Sequence, residues 1–154
     1  MDQDLHDRDG LAWSEQQAAL LRRLASGERV NGIDWSHVIE EIEDMGLSEL
    51  NATRSDIRQI LVHLLKLHGW PKLNAGQHWR AEVIAFQANL GDRFTPSMRQ
   101  RIDLTALYAQ ARNQIAPLRL GGEAARASPS VCPVTLDQLL TALCSELEAA
   151  FPEA

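Results

Sequence analysis

The chain has 154 residues, 15 of them basic and 21 acidic, for a net charge of −6, and 45% of it is hydrophobic. That length fits a single domain, residues 1–154, with a sizeable core. The acidic balance argues against nucleic acid as a general partner, because phosphate binding depends on clustered Lys and Arg.

Two cysteines, Cys132 and Cys144, stand without a second pair. This excludes a zinc ribbon or a disulfide framework and points to a reducing compartment. The opening "MDQDLHDRDG" lacks the basic start and apolar core of a signal peptide. No run of about eighteen apolar residues appears. The expectation is a cytoplasmic protein with no membrane span.

The periodic segments have the helical repeat, and none alternates as a half-buried strand does. The expected fold is all-α, an irregular bundle of five or six helices. A first helix covers about Gly10 to Ser26, with Trp13, Leu20, Leu21 and Leu24 on one side and Gly27 as its stop. A second opens after Asp34, whose carboxylate can cap the first turn, and ends at Gly46, with Trp35, Val38, Ile39 and Ile42 as its apolar stripe. A third runs from about Ser48 to His68 and is closed by "GWP".

The segment "HWRAEVIAFQANLG" reads as a fourth helix, with Trp79, Val83, Phe86 and Leu90 on one face and Gly91 as its end. In "TPSMRQ", Thr95 is a cap and Pro96 takes the first helical position. Met98 and Ile102 fall out of phase with Leu104, Tyr108, Ala111 and Ile115, so a break is expected near Asp103. The stretch from Pro117 to Pro133 is loop-like. A last helix starts at Thr135, which has capping-box spacing to Gln138, and carries Leu136, Leu139, Leu140, Leu143 and Leu147. The expected core is Trp13, Trp35, Ile39, Ile42, Ile57, Leu61, Leu64, Trp79, Phe86, Leu140 and Leu143.

Chemistry-bearing residues concentrate in "IDWSHVIEEIEDMG" and "ILVHLLKLHGWP". At 100° per residue Glu40 and Asp44 face away from the apolar stripe, whereas Glu41 and Glu43 flank it. His68 falls on the apolar face of the third helix, His63 at its edge, and both read as core groups satisfied by a hydrogen bond. Arg112, mid-helix between Tyr108 and Ile115, is a natural partner for Glu41 or Glu43 through paired hydrogen bonds. Glu41, Glu43, His63 and Arg112 are thus a candidate polar cluster.

A metal site needs several converging ligands. His37 and Glu41 have i, i+4 spacing but form only one pair, so no metal ligands, cofactor or catalytic residues are assigned. No glycine loop has phosphate-binding spacing, since "LGGEAA" follows no strand.

In order along the chain, "IDWSHVIEEIEDMGLSE", "LVHLLK", the pair Trp79 and Arg80, "YAQAR" and "CPVTLDQLL" resemble the bacterial domain-of-unknown-function family twenty-nine. The resemblance implies a small helical bacterial protein with no established activity. Its motif positions here are Glu40 to Glu43, Gly46, His63 to Lys66, Trp79, Arg112, Cys132 and Pro133. The chain departs from the pattern at Leu67, near which an aromatic is favoured, and at Val134, where a tyrosine is.

The leading functional expectation is a non-catalytic helical module that binds a protein, either a distinct partner or a second copy. The phase change near Asp103 would present two apolar faces, which places a homodimer at Leu104, Leu107 and Tyr108. The alternatives are weak nucleic-acid association through Arg80, Arg93, Arg99, Arg101, Arg112, Arg119 and Arg126, or a hydrolytic or metal-dependent enzyme at Glu43 and His63.

Overall fold

In a computed structural model, residues 3–153 are described. They form seven α-helices, one 3-10 helix and one two-stranded ladder: α1 Gln3–Arg8, α2 Gly10–Ala25, α3 Trp35–Gly69, α4 Gly76–Arg93, the 3-10 helix Pro96–Arg101, α5 Leu104–Ile115, β1 Arg119–Leu120, β2 Glu123–Ala124, α6 Leu136–Thr141 and α7 Cys144–Ala149. The all-α class is as expected. The chain gathers into two compact units, Met1–Ser48 and Glu49–Ala154.

Two expected helices prove to be one. α3 continues through Gly46, which keeps negative φ instead of turning left-handed as a helix-ending glycine does. With no left-handed residue to break it, the ladder of i to i−4 hydrogen bonds carries on. α4 likewise runs two residues past Gly91.

In the first unit, the Asp9 carboxylate accepts a hydrogen bond from the Ala12 amide at 3.0 Å and opens α2, and Gly27, at φ 91°, follows its end. Trp13 and Gln17 lie one helical turn apart and are both buried. The Trp13 indole N–H donates to Asp34 Oδ2 at 3.2 Å, and the Gln17 side-chain oxygen accepts from the Asp34 amide at 2.8 Å. Asp34 is thereby fixed where it precedes α3.

The second unit is organised around the later part of α3, where Ile60, Leu61, Val62, His63, Leu64 and Leu65 are all buried. A helix buried on every side needs cover all round. The same core takes Trp79, Val83 and Leu90 from α4, Leu107, Tyr108, Ala111 and Ile115 from α5, Leu139 from α6 and Leu147 from α7. Buried Asp56 accepts from Arg93 Nη1 at 3.0 Å and ties α3 to α4.

The expected break at Asp103 is present. Its carboxylate accepts from the Ala106 amide at 3.0 Å and starts α5 afresh. The capping box of Thr135 and Gln138 also forms. The last helix, however, is interrupted: the Gln87 side-chain amide donates to the Leu139 and Ala142 carbonyls, both at 3.0 Å, and the Leu143 amide donates to Glu146 at 2.9 Å. Those bonds replace the helical link between Leu139 and Leu143 and leave Leu143, expected in the core, 67% exposed.

The expected loop after Pro117 contains a hairpin in which Gly121 and Gly122 both have positive φ, as a tight two-residue turn demands. Gly69, at the end of α3, admits close packing: a Cβ there would lie 3.0 Å from the Ala125 Cβ.

Two substitutions test this frame. Leu64→Ala should cost about 2–5 kcal/mol in urea unfolding, because the side chain is fully buried. Gly46→Ala should stabilise by about 0.8–1 kcal/mol, since the added methyl meets nothing within 4 Å and the helix continues through the site. A loss of stability in the second variant would mean that α3 stops at Gly46.

Candidate functional site

Where α1, α2 and the start of α3 meet, three rings and three carboxylates assemble. His6 and His37 stack with centroids 4.0 Å apart and planes 12° from parallel, and Trp13 stands edge-on to His6 at 4.7 Å. His6 Nε2 is 2.7 Å from Glu41 Oε1, and its Nδ1 is 3.3 Å from Asp7 Oδ1. His37 Nδ1 is 2.6 Å from Asp34 Oδ2.

An ionised carboxylate only accepts hydrogen bonds. The short contacts therefore place a proton on His6 Nε2 and another on His37 Nδ1. His37 Nε2 has no hydrogen-bond partner among the described residues. His6, Asp7 and His37 each offer a ligand atom within 4.8 Å of the other two.

The electrostatics follow from these contacts. The hydrogen bond to Glu41 raises the His6 pKa above its ordinary value, helped by Asp7 and opposed by burial. The bond from His37 lowers the Asp34 pKa, and the Trp13 indole adds to the effect.

On α3 itself, Trp35 is 52% exposed, Ile39 53%, Ile42 61% and Met45 66%. Trp35, Ile39 and Ile42 were expected in the core and instead form an open apolar seam. Their i, i+4, i+7 spacing marks one helix face correctly, but in the first unit Val38 is the buried member of the segment. Glu43 lies exposed at the flank of the seam, Glu40 and Asp44 are exposed on the opposite side of the helix, and residues 35–49 contain no Lys or Arg.

The other anticipated residues find separate partners. Glu41 bonds His6, and Glu43 lies exposed. Buried His63 donates from Nδ1 to the Gln59 carbonyl at 2.7 Å, and burial lowers its pKa. Arg112 donates to the Ser128 hydroxyl at 3.1 Å, with its guanidinium 6.0 Å from the Tyr108 ring centre. His63 and Arg112 share no hydrogen bond, and the buried carboxylate of this unit, Asp56, is paired with Arg93 instead.

Leu107 and Tyr108, expected at a dimer interface, are buried within the chain, and the Tyr108 hydroxyl donates to the Pro129 carbonyl at 2.7 Å. Leu104, Tyr108 and Arg112 line a cleft of about 380 Å³ with Val131 and Cys132. Burial raises the pKa of both Cys132 and Cys144, which disfavours the reactive thiolate. In the arginine-rich segment Arg80, Arg93 and Arg99 are neutralised by Glu148, Asp56 and Asp137.

Sequence reasoning missed His6 and Asp7, which carry no helical period of their own. Asp34 and His37 were legible as a cap and a residue three positions on, a spacing at which the two side chains meet.

The pattern of the family described as "Domain of unknown function DUF29" matches residues 5–144. The chain belongs to that family. An alpha-helical protein of unknown function from Rhodospirillum rubrum ATCC 11170, known from a crystal structure, is 30% identical to this DUF29 member with a TM-score of 0.63, over 94% of this chain and 95% of the other. No curated protein matches the chain. Among the described residues of this DUF29 chain, no helix is long and apolar enough to cross a membrane.

The histidines of this family member should titrate apart. His6 should titrate above 6.5 and His63 below it when followed by imidazole NMR. By linkage, the contribution of His6 is fully present below pH 6.5 and is lost as pH rises through its raised value. The contribution of His63 is present above 6.5 and is lost as pH falls through its lowered value. Coincident titration of the two rings would contradict the site as described.

Proposed function

We propose that the chain is a non-catalytic helical module that binds another protein through the seam of Trp35, Ile39, Ile42 and Met45. The observation that carries the reading is the exposure of these four side chains on one stretch of helix. Scattered apolar residues on a surface need no explanation, but a contiguous helical stripe marks an interaction surface. The spacing matches the anchors by which an amphipathic helix packs against another helix.

The occupant is a basic amphipathic helix of a different protein. Glu41 and Glu43 give the seam an acidic rim, residues 35–49 contain no Lys or Arg, and among the described residues the exposed Glu43 has no bonded cation. Lysines or arginines flanking an apolar stripe would meet that rim with complementary charge. A second copy would bring acidic rim against acidic rim, and an anionic membrane or nucleic acid would be repelled.

The test is titration of a labelled synthetic helix built of leucine and lysine, with a leucine and glutamate helix as control. The lysine peptide should bind, and more weakly as salt is added. Binding should vanish in the double variant Ile39→Asp/Ile42→Asp. That variant should keep its thermal stability within about 0.5 kcal/mol per site, as exposed substitutions do. Binding of both peptides alike, or undiminished binding by the double variant, defeats the reading. So does a stable dimer in light scattering that the double variant dissolves, because it would assign the seam to a second copy.

A further inference from the structure

The cluster under α1 has the elements of a coordination site. We propose that His6, Asp7 and His37 bind a divalent transition-metal ion, zinc(II) by the chemistry of the donors, with Glu41 and Asp34 orienting the two imidazoles from behind. The proposal is independent of the docking seam.

The donor set comes first. Two imidazoles and one carboxylate are borderline nitrogen and oxygen ligands of the kind that zinc takes in three-ligand sites with a fourth position open to water. All three ligand atoms lie within 4.8 Å of one another, and His6 Nδ1 and Asp7 Oδ1 are 3.3 Å apart. Two ligands held about 2.0–2.1 Å from a tetrahedral ion stand roughly 3.4 Å from each other, so this pair already has the required separation. His37 comes from a different helix and supplies the third direction.

The outer partners are the stronger argument. A metal-bound histidine characteristically donates its other ring N–H to a carboxylate, which fixes the tautomer and turns the free lone pair toward the ion. Both histidines have this arrangement, His6 through Nε2 to Glu41 at 2.7 Å and His37 through Nδ1 to Asp34 at 2.6 Å. The Asp34 carboxylate is itself anchored by the Trp13 indole N–H at 3.2 Å. The nitrogens left over are His6 Nδ1, beside Asp7, and His37 Nε2, which has no partner among the described residues. The rings now stack 12° from parallel, so binding an ion requires them to unstack and turn by tens of degrees until both lone pairs point at it.

Coordination needs the lone pair on His6 Nδ1, so an ion that binds the protonated ring expels its proton to solvent. Affinity therefore rises with pH until His6 is neutral, and proton release accompanies binding.

The experiment is isothermal titration of the full, tag-free, metal-stripped chain with zinc chloride in buffers of different protonation heat, repeated with cobalt(II) and followed by its visible absorption. The expected result is a single saturable site with proton release and a tetrahedral cobalt spectrum. His6→Gln and His37→Gln should each abolish it. Glu41→Gln should weaken it about 10–100-fold as an orienting partner, while His68→Gln should leave it unchanged. Circular dichroism confirms that each variant is folded, and if one imidazole variant is not, the other decides. Absence of saturable zinc and cobalt binding, or parental affinity in a folded His6→Gln or His37→Gln variant, overturns the proposal and leaves the cluster a hydrogen-bonded clasp.

Discussion

Six consecutive buried residues, Ile60 to Leu65, set the terms for the second unit. A helix that is apolar on one side can lie on a surface, but one buried on every side must be enclosed. The enclosing elements are short, and several are held by polar bonds at their ends as well as by apolar contact. Gln87 takes two carbonyls at the end of α6, Arg80 grips the Glu148 carboxylate of α7 with two nitrogens, and Arg93 compensates the buried charge of Asp56. The bonds of Gln87 and Arg93 satisfy groups that would otherwise be stranded as the helices close over the core, while the Arg80–Glu148 pair fastens α4 to α7 at the surface.

The helical period along α3 is regular from Trp35 to Leu64, yet the environment along that line is not. Trp35, Ile39 and Ile42 continue in register into Thr53, Ile57, Ile60 and Leu64, and only the later members are enclosed. Periodicity reports which face is apolar; it carries no information about whether anything covers that face. This is why Trp13, Ile57, Leu61, Leu64 and Trp79 were legible as core while Trp35, Ile39 and Ile42 were misplaced. The same reasoning explains Leu143, whose position in a perfect leucine stripe was overridden by distant Gln87 and local Glu146 taking the hydrogen bonds that would have carried the helix through it.

Local chemistry was more faithful. The Asp103 break, the Thr135 cap and the cap at Asp34 depend on side chains within three or four positions of the backbone groups they satisfy, and all were readable. The candidate site was readable only in part because its decisive contacts cross the chain: His6 and Glu41 are 35 positions apart, Trp13 and Asp34 are 21. The expected cluster of Glu41, Glu43, His63 and Arg112 was read from complementary charge alone, and Glu41, His63 and Arg112 each hold another partner. Complementary charge suggests who can pair, but proximity decides who does, and Arg112 settled on a serine hydroxyl beside it.

Asp34 serves three neighbours at once. Its carboxylate receives the Trp13 indole, the His37 ring and the His37 backbone amide, and its own amide is held by Gln17. Groups that share a partner do not contribute independently. Once Asp34 is replaced, changes at Trp13 and His37 no longer sacrifice these hydrogen bonds, although Trp13 still gives up its buried ring; with Asp34 in place, the same changes cost more. The history of substitutions at this corner of the molecule is therefore order-dependent, and Trp13, Asp34 and His37 are expected to be retained or replaced together rather than drifting one at a time.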